Sequence, residues 1–221
     1  GFLAPRTFMV KSTINGQELN YIFQEDLRKE FLENLKLREG PILEGDERFT
    51  VMIPVQKSVS KINLSKIVNK KFLLKNESNA RTGLSSVSNL NLIYLQHHQI
   101  QNINQEEKLY INSKKFFKDK LNREQHEVYE ALIYALDAGH HLSYDDRRFY
   151  FDSINQNYLP IYYDGKSKII NEKQILNLDD LKNKVSPEAK RGAKSAIKLI
   201  NDIDHNKFNK KLNSYGFLIN E

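Results

Sequence analysis

The sequence predicts an α+β fold in which helices predominate and two β-hairpins interrupt them. Three observations predict it. Apolar residues flank Asn15-Gly16, a dipeptide that suits a tight hairpin turn. Residues 147–163 contain two aromatic-rich runs separated by the polar segment SINQN. Elsewhere apolar residues recur at helical spacing, most clearly between Asn122 and Ala138.

The composition limits the number of domains, the kinds of metal site and the kinds of partner only loosely. The chain has 221 residues, of which 39% are hydrophobic and 28% charged, which suits one large domain or two small ones. The absence of Cys excludes disulfides and thiolate metal sites. A net charge of +6 permits an anionic partner without requiring one. No apolar run approaches the roughly 20 residues of a membrane helix, so we expect no membrane span.

The first elements are a hairpin and a helix. Thr7–Glu25 predicts strand, turn and strand around Asn15-Gly16. Asp26–Lys36 then changes to helical spacing and ends before Gly40-Pro41, with its apolar residues four apart: Leu27, Phe31 and Leu35.

The middle of the chain has weaker patterns. Phe49–Leu74 contains a short apolar run followed by spaced lysines, which we interpret as a solvated face. Asn76–Asn91 is rich in Ser and Asn and predicts a loop. Leu92–Gln101 is compatible with a short helix.

Helices are again predicted towards the end of the chain. The stretch from Asn122 to Ala138 has Asn122 as a plausible cap and is ended by Gly139. Two further helices are predicted at Leu178–Lys184 and Pro187–Ile203. The second is introduced by a cap, a proline and an acid: Ser186, Pro187 and Glu188.

The predicted second hairpin has an acidic residue at each end. Its strands, Arg147–Asp152 and Tyr158–Tyr163, are aromatic-rich, and an antiparallel pairing returns Asp164 towards Asp146. Two carboxylates brought together in this way suit Mg²⁺ or Mn²⁺. Each aspartate alone is equally compatible with a strand-end cap or a turn. The histidine pairs 97–98 and 140–141 have no matching ligand pair, so we do not assign zinc to them.

The order of these elements is informative. An amphipathic helix, a loop with His and Asp, a hairpin and an Asp-Gly dipeptide follow one another from Asn122 to Gly165. This is the order in the large lobe of protein kinases. There the loop carries a base and a metal ligand, and the Asp after the hairpin holds Mg²⁺ against the nucleotide phosphates.

Four segments resemble the spore-coat protein H (CotH) kinase family, whose members are atypical secreted or surface-associated kinases. They are IFQE at Ile22–Glu25, REGPIL at Arg38–Leu43, DDRRFYFD at Asp145–Asp152 and PIYYDG at Pro160–Gly165. Together they span most of residues 5–165. The resemblance implies the end of a small lobe with a hinge-like hairpin at 1–25 and a kinase-like, mostly helical large lobe at 26–221. It also suggests a secreted or cell-surface location.

The resemblance also implies site residues. Counted back from Asp164, it places Asp146 where the family has a metal-binding Asn and His141 where the family has its catalytic Asp. Asp146 and Asp164 are then the metal ligands. A shift of register by one residue would give these roles to His140 and Asp145 instead. An imidazole can accept a proton, with an ordinary pKa of about 6.5.

The implied cofactors are ATP with Mg²⁺ or Mn²⁺. Gln24 and Glu25 would present backbone groups to the adenine as a hinge. Alternation along a strand sends Arg147 and Arg148 to opposite faces, so one is structural, and we assign Arg148 to the phosphates. The Gly-rich loop and Lys that kinases use have no room before Asn15. We therefore expect them upstream of Gly1 or on a partner chain.

Three functions follow. The favoured one is a phosphotransferase that moves the γ-phosphate of ATP to a protein or small-molecule hydroxyl, so that a nucleic-acid partner is not expected. The second is a non-catalytic pseudokinase scaffold, since His141 and Asp146 depart from the family pattern. The third is a metal-dependent nuclease, because Asp146, Asp164 and Lys166 also match a D…(D/E)-x-K arrangement in which Lys helps to activate water.

Overall fold

The computed structural model describes residues 2–46, 64–100, 111–143, 145–167 and 185–217. It confirms a mixed α+β chain with two small antiparallel sheets. The predicted helix Leu178–Lys184 lies outside the described residues. The described elements are β1 (Thr7–Ile14), β2 (Gln17–Gln24), α1 (Lys29–Asn34), β3 (Ile42–Gly45), β4 (Ser65–Ile67), α2 (Lys70–Leu73), α3 (Glu77–Ile100), α4 (Ser113–Phe116), α5 (Lys120–Ala135), a 3₁₀ helix (Gly139–Leu142), β5 (Arg148–Asp152), β6 (Asn157–Ile161), α6 (Pro187–Asn201) and α7 (His205–Ser214).

The first hairpin, β1–β2, is confirmed with the predicted turn. Ile14 pairs with Gln17, so Asn15 and Gly16 form a two-residue loop with φ angles of 52° and 79°. Positive φ at both positions is what this class of turn requires. The hairpin forms a sheet of its own, and Met9 N–H donates to the carbonyl of Tyr215 just after α7.

The second sheet contains the predicted second hairpin, β5–β6, in a four-stranded order β4-β3-β5-β6. Successive side chains of β5 point to opposite faces of the sheet. Phe149 and Phe151 pack into a core with Tyr158, whereas Tyr150 packs into a second core with Phe31. The aromatic run of β5 is therefore buried on both sides, which fixes the hairpin that carries the acidic residues.

The predicted loop at Asn76–Asn91 is wrong, because this stretch forms most of the 24-residue helix α3. The helix buries a stripe spaced three and four residues apart, and half of the stripe is not apolar: Gly83, Ser86, Leu90 and Tyr94. A Cβ at position 83 would clash with the side chain of Leu73, so a small residue is needed there. Because Gly and Ser occupy half of the buried stripe, the sequence of this helix has no continuous series of apolar residues recurring at helical spacing, and the helix could not be predicted from them.

Helix α5 begins two residues before the predicted cap. Asp119 is the N-cap, and its carboxylate accepts hydrogen bonds from the backbone N–H groups of Leu121 and Asn122. Asn122 lies inside the first turn of the helix. An Asp immediately before the helical run is as good a cap as Asn, so composition alone did not separate them.

Helix α6 packs along α5 at very short range. Ser186 caps its first turn and Pro187 occupies the first helical position, as predicted. A Cβ at Gly192 would clash with the backbone carbonyl of Glu127 on α5. Ala189 and Ala196 are buried on the same face. Among the described helices, none combines the length and hydropathy needed to cross a bilayer.

Candidate metal site

The loop between α5 and β5 and the segment after β6 meet at one point. His140, Asp146 and Asp164 each contribute a possible ligand atom there, and these atoms lie within 4.8 Å of one another. Nε2 of His140 is 3.0 Å from Oδ2 of Asp146 and 3.9 Å from Oδ2 of Asp164. The two aspartates that the sequence placed at the ends of the hairpin are thus brought together. We call these three residues the acid–histidine cluster.

Local hydrogen bonds hold the loop that carries His140 and Asp146. The N–H of Ser143 donates to the carbonyl of His140, and the N–H of Arg147 donates to the carbonyl of Ser143. The hydroxyl of Ser143 donates to Oδ2 of Asp146 at 2.8 Å. The Asp146 carboxylate therefore has a fixed orientation beside the imidazole.

Asp164 is placed by a turn that uses unusual backbone angles. Asp164 and Lys166 both have left-handed backbone, with φ angles of 41° and 50°. Between them, a Cβ at Gly165 would clash with the ring and hydroxyl of Tyr162. Left-handed non-glycine residues cost free energy and tend to occur where function needs them. The turn directs both Asp164 and the side chain of Lys166 to the cluster.

The electrostatics of the cluster favour a cation. Burial raises the pKa of Asp146, and the negative charges of Asp145 and Asp164 raise it further, against the hydrogen bond from Ser143 and the nearby His140, which lower it. Two carboxylates held this close repel each other when both are ionised. A divalent cation bound between them would remove that repulsion, and carboxylate oxygens are ligands that Mg²⁺ and Mn²⁺ accept.

Lys166 is also at the cluster. Its Nζ lies 2.7 Å from Nε2 of His140, although the residue is exposed. The nuclease interpretation requires this lysine to point at the metal; in the structure its ammonium reaches His140, and no carboxylate of a described residue lies within 4.0 Å of it. The negative charge of Asp145 raises the pKa of Asp146, but Asp145 is not one of the cluster's ligand groups.

His141, the first choice for a catalytic base, is not brought to the cluster. It is fully buried, with Nε2 at 2.6 Å from the hydroxyl of Tyr129 and Nδ1 at 2.9 Å from the carbonyl of Tyr163. With Nδ1 protonated, Nδ1–H donates to Tyr163 and Nε2 accepts from Tyr129, so both ring nitrogens are used. Burial and the charge of Arg147 lower the pKa of His141 to about 3.

The position of His141 nevertheless serves the site. Neighbouring residues of a 3₁₀ helix point in directions about 120° apart, so His140 faces outward to the carboxylates when His141 faces the core. By holding the carbonyl of Tyr163, His141 ties the loop to the residue that precedes Asp164. His140 is therefore the imidazole available for chemistry.

The two arginines diverge, as strand alternation predicted. Arg147 is buried and pairs with Glu130 of α5 at 2.9 Å. Arg148 pairs with Glu44 at 3.2 Å, and its guanidinium lies 3.4 Å from the ring centre of Tyr163. Arg148 was predicted to bind phosphate; in the structure its guanidinium pairs with Glu44, and the phosphate-binding role stays a prediction.

The two residues that the sequence predicted as a hinge make their described contacts away from the cluster. Gln24 ends β2 and is exposed. Glu25 pairs with Arg6 at 2.8 Å and accepts from Asn34. These hydrogen bonds lower the pKa of Glu25 against the effect of burial, which raises it. Among the described residues, no hydrogen bond or ion pair joins Gln24 or Glu25 to the acid–histidine cluster.

A buried polar network behind the cluster was missed at the level of sequence. Glu130 is fully buried, and its second oxygen accepts from the hydroxyl of Ser186 at 2.7 Å. Burial raises the pKa of Glu130, but the charge of Arg147, together with His126 and the hydrogen bond from Ser186, lowers it to about 2. Glu127, one turn earlier, binds Ser113 and Arg191. Charged residues on a helix are normally read as exposed, so the pattern carried no signal of this network.

No family model, curated protein or solved structure matches this chain.

Proposed function

We propose that this chain is the kinase-like large lobe of a CotH-type phosphotransferase, which transfers the γ-phosphate of ATP to a hydroxyl of a protein or small molecule. Asp146 and Asp164 hold Mg²⁺ or Mn²⁺, and His140 is the base. The observation that carries the proposal is the convergence of these three residues at the end of a helix–loop–hairpin unit. In kinases the same order of elements brings a base and metal ligands to the phosphates.

The geometry suits the chemistry of the transfer. The acceptor oxygen forms a bond to the γ-phosphorus while the bond from that phosphorus to the β,γ-bridging oxygen breaks, and ADP leaves. The hydroxyl proton passes to Nε2 of His140, which a neutral imidazole can accept. Oδ2 of Asp146, at 3.0 Å from Nε2, is placed to accept a hydrogen bond from the resulting imidazolium.

A transfer assay tests the proposal. The complete protein, together with any partner chain that it requires, is incubated with γ-labelled ATP, Mn²⁺ and a mixture of protein and small hydroxyl acceptors, and ATP binding is measured by calorimetry in parallel. We expect binding and transfer in the native protein and loss of transfer in Asp164→Asn. Asp202→Asn, which removes an exposed carboxylate at the end of α6, is the matched control and should remain active.

Two results would change the assignment. ATP binding without transfer, retained in His140→Ala, would support a pseudokinase scaffold. The absence of ATP binding in the native protein would contradict the phosphotransferase proposal.

A metal-dependent nuclease is the second candidate, because Lys166 reaches the cluster at 2.7 Å from His140. In that role the carboxylates hold the cation and Lys166 helps to activate a water molecule that attacks a phosphodiester. Incubation with supercoiled plasmid and Mg²⁺ tests it. Nicking that is lost in both Asp164→Asn and Lys166→Arg would favour the nuclease, since Arg keeps the charge but cannot give up its proton.

A further inference from the structure

The cationic side chains near the acid–histidine cluster differ in whether they pair with a carboxylate. Arg147 is buried against Glu130 at 2.9 Å. Arg148 pairs with Glu44 at 3.2 Å and stacks on Tyr163. Both guanidiniums already pair with a carboxylate, so the charge that each offers to an incoming anion is partly neutralised.

Lys166 is the exception within the described part of the chain. Its ammonium contacts a histidine nitrogen, and no carboxylate of a described residue lies within 4.0 Å of it. The residue is exposed on the turn that follows Asp164, so its long side chain can move without disturbing the core. A compact ammonium on a flexible stem is well suited to binding phosphate.

We propose that Lys166 is a phosphate-binding residue, whose ammonium contacts a nucleoside triphosphate held at the cluster with its divalent cation. The inference rests on the proposed phosphotransferase function. It adds a role for the Lys166 ammonium, which would bind the phosphates of the substrate. In kinases and nucleotide-binding proteins the metal ion neutralises part of the negative charge of the phosphates, and a cationic side chain commonly neutralises more of it.

The contact with His140 gives this role a consequence for the base. With Nε2 of His140 unprotonated, the ammonium of Lys166 donates to its one lone pair and occupies it. When Lys166 donates to a phosphate oxygen instead, the lone pair is released and can take the proton of the acceptor hydroxyl. Triphosphate binding would then prepare the base as well as anchor the substrate.

Two separate titrations test the inference. Mn²⁺ binding alone is followed by electron paramagnetic resonance, and binding of a non-hydrolysable ATP analogue with saturating Mn²⁺ is followed by calorimetry. We expect Lys166→Met to bind Mn²⁺ at least as tightly as the native protein, because a neighbouring positive charge has been removed. Its affinity for the ATP analogue should fall by about tenfold or more, the effect of one lost charge-assisted hydrogen bond.

Two further variants serve as controls. Lys166→Arg keeps the charge and should bind the analogue within about threefold of the native protein. Lys194→Met removes an exposed lysine from α6 and should bind as the native protein does.

The outcomes separate this inference from the function on which it rests. Equal binding of the analogue by the native protein and Lys166→Met would overturn the role of Lys166 and leave the phosphotransferase proposal standing. Loss of Mn²⁺ binding in Lys166→Met would also overturn it, because the lysine would then be organising the metal site. If the native protein binds Mn²⁺ but not the analogue, both proposals fall.

Discussion

Glu130 and Arg147 form an ion pair at 2.9 Å in which both side chains are buried. Arg147 directly follows Asp146, and Glu130 lies on α5. The other oxygen of Glu130 accepts from Ser186, the cap of α6. One carboxylate therefore fixes the loop of the acid–histidine cluster to two helices, and several consequences can be measured.

Removing Glu130 should be costly for stability. Glu130→Leu leaves Arg147 charged and buried without its partner, so we expect the free energy of unfolding to fall by about 3–5 kcal/mol in urea denaturation. The double variant Glu130→Leu/Arg147→Leu should recover much of that loss. Glu124→Leu, an exposed acid on the same helix, should change little. A loss from Glu130→Leu no larger than that from Glu124→Leu would contradict the account.

Gly192 should tolerate no side chain. A Cβ at this position would point at the backbone carbonyl of Glu127, so Gly192→Ala must push α6 away from α5. We expect a loss of about 1–3 kcal/mol in thermal or urea unfolding, although Ala is the better helix former. Ser195→Ala, at an exposed position of the same helix, should be neutral or slightly stabilising. A gain in stability from Gly192→Ala would show that the helices are not in close contact.

Stability should fall as the pH drops below neutrality. The pKa of His141 is about 3 in the folded protein and about 6.5 in the unfolded chain. Between these two pH values the unfolded chain is protonated at His141 and the folded protein is not, so acid favours unfolding. This contribution is complete above pH 6.5 and is lost towards pH 3. Between pH 7 and pH 5 we expect a loss of about 2 kcal/mol.

His141→Asn isolates that effect. The variant should be less stable at pH 7, yet its stability should change less between pH 7 and pH 5 than that of the native protein. Parallel pH profiles would argue against a neutral, buried His141. Glu130, with a pKa of about 2, should add its own loss only below pH 4.5, because its carboxylate stabilises the fold while ionised.

The start of α5 offers a test of its cap. Asp119→Ala removes the acceptor for two backbone N–H groups and should lower the urea midpoint. Asn122→Ala, in the first turn, should have a smaller effect or none. The reverse order would place the cap where the sequence pattern first suggested it.

The parts of the fold that sequence predicted are those set by local chemistry. Asn15-Gly16 dictates a hairpin turn, and the aromatic runs of β5 and β6 pair across a short polar segment. Because an antiparallel hairpin returns the chain to its start, the proximity of Asp146 and Asp164 could be predicted without knowing the rest of the fold.

The features that could not be predicted from the sequence depend on tertiary packing and on the rotation of side chains around a helix axis. Helix α3 buries Gly83 and Ser86, which do not register as apolar. The choice between His140 and His141 turns on one residue of rotation in a 3₁₀ helix. Glu130 is a charged residue whose partners come from distant segments, so its burial becomes evident only once the chain is folded.

The most direct test of the account is whether Asp146 and Asp164 bind a divalent cation together. Mn²⁺ is titrated into the native protein, Asp146→Asn, Asp164→Asn and the control Asp202→Asn, and free Mn²⁺ is read by electron paramagnetic resonance. We expect one Mn²⁺ site in the native protein and in the control, with affinity weakened by about tenfold or more in each cluster variant. No bound Mn²⁺ in the native protein, or equal affinity in all four proteins, would show that the two aspartates do not form a metal site.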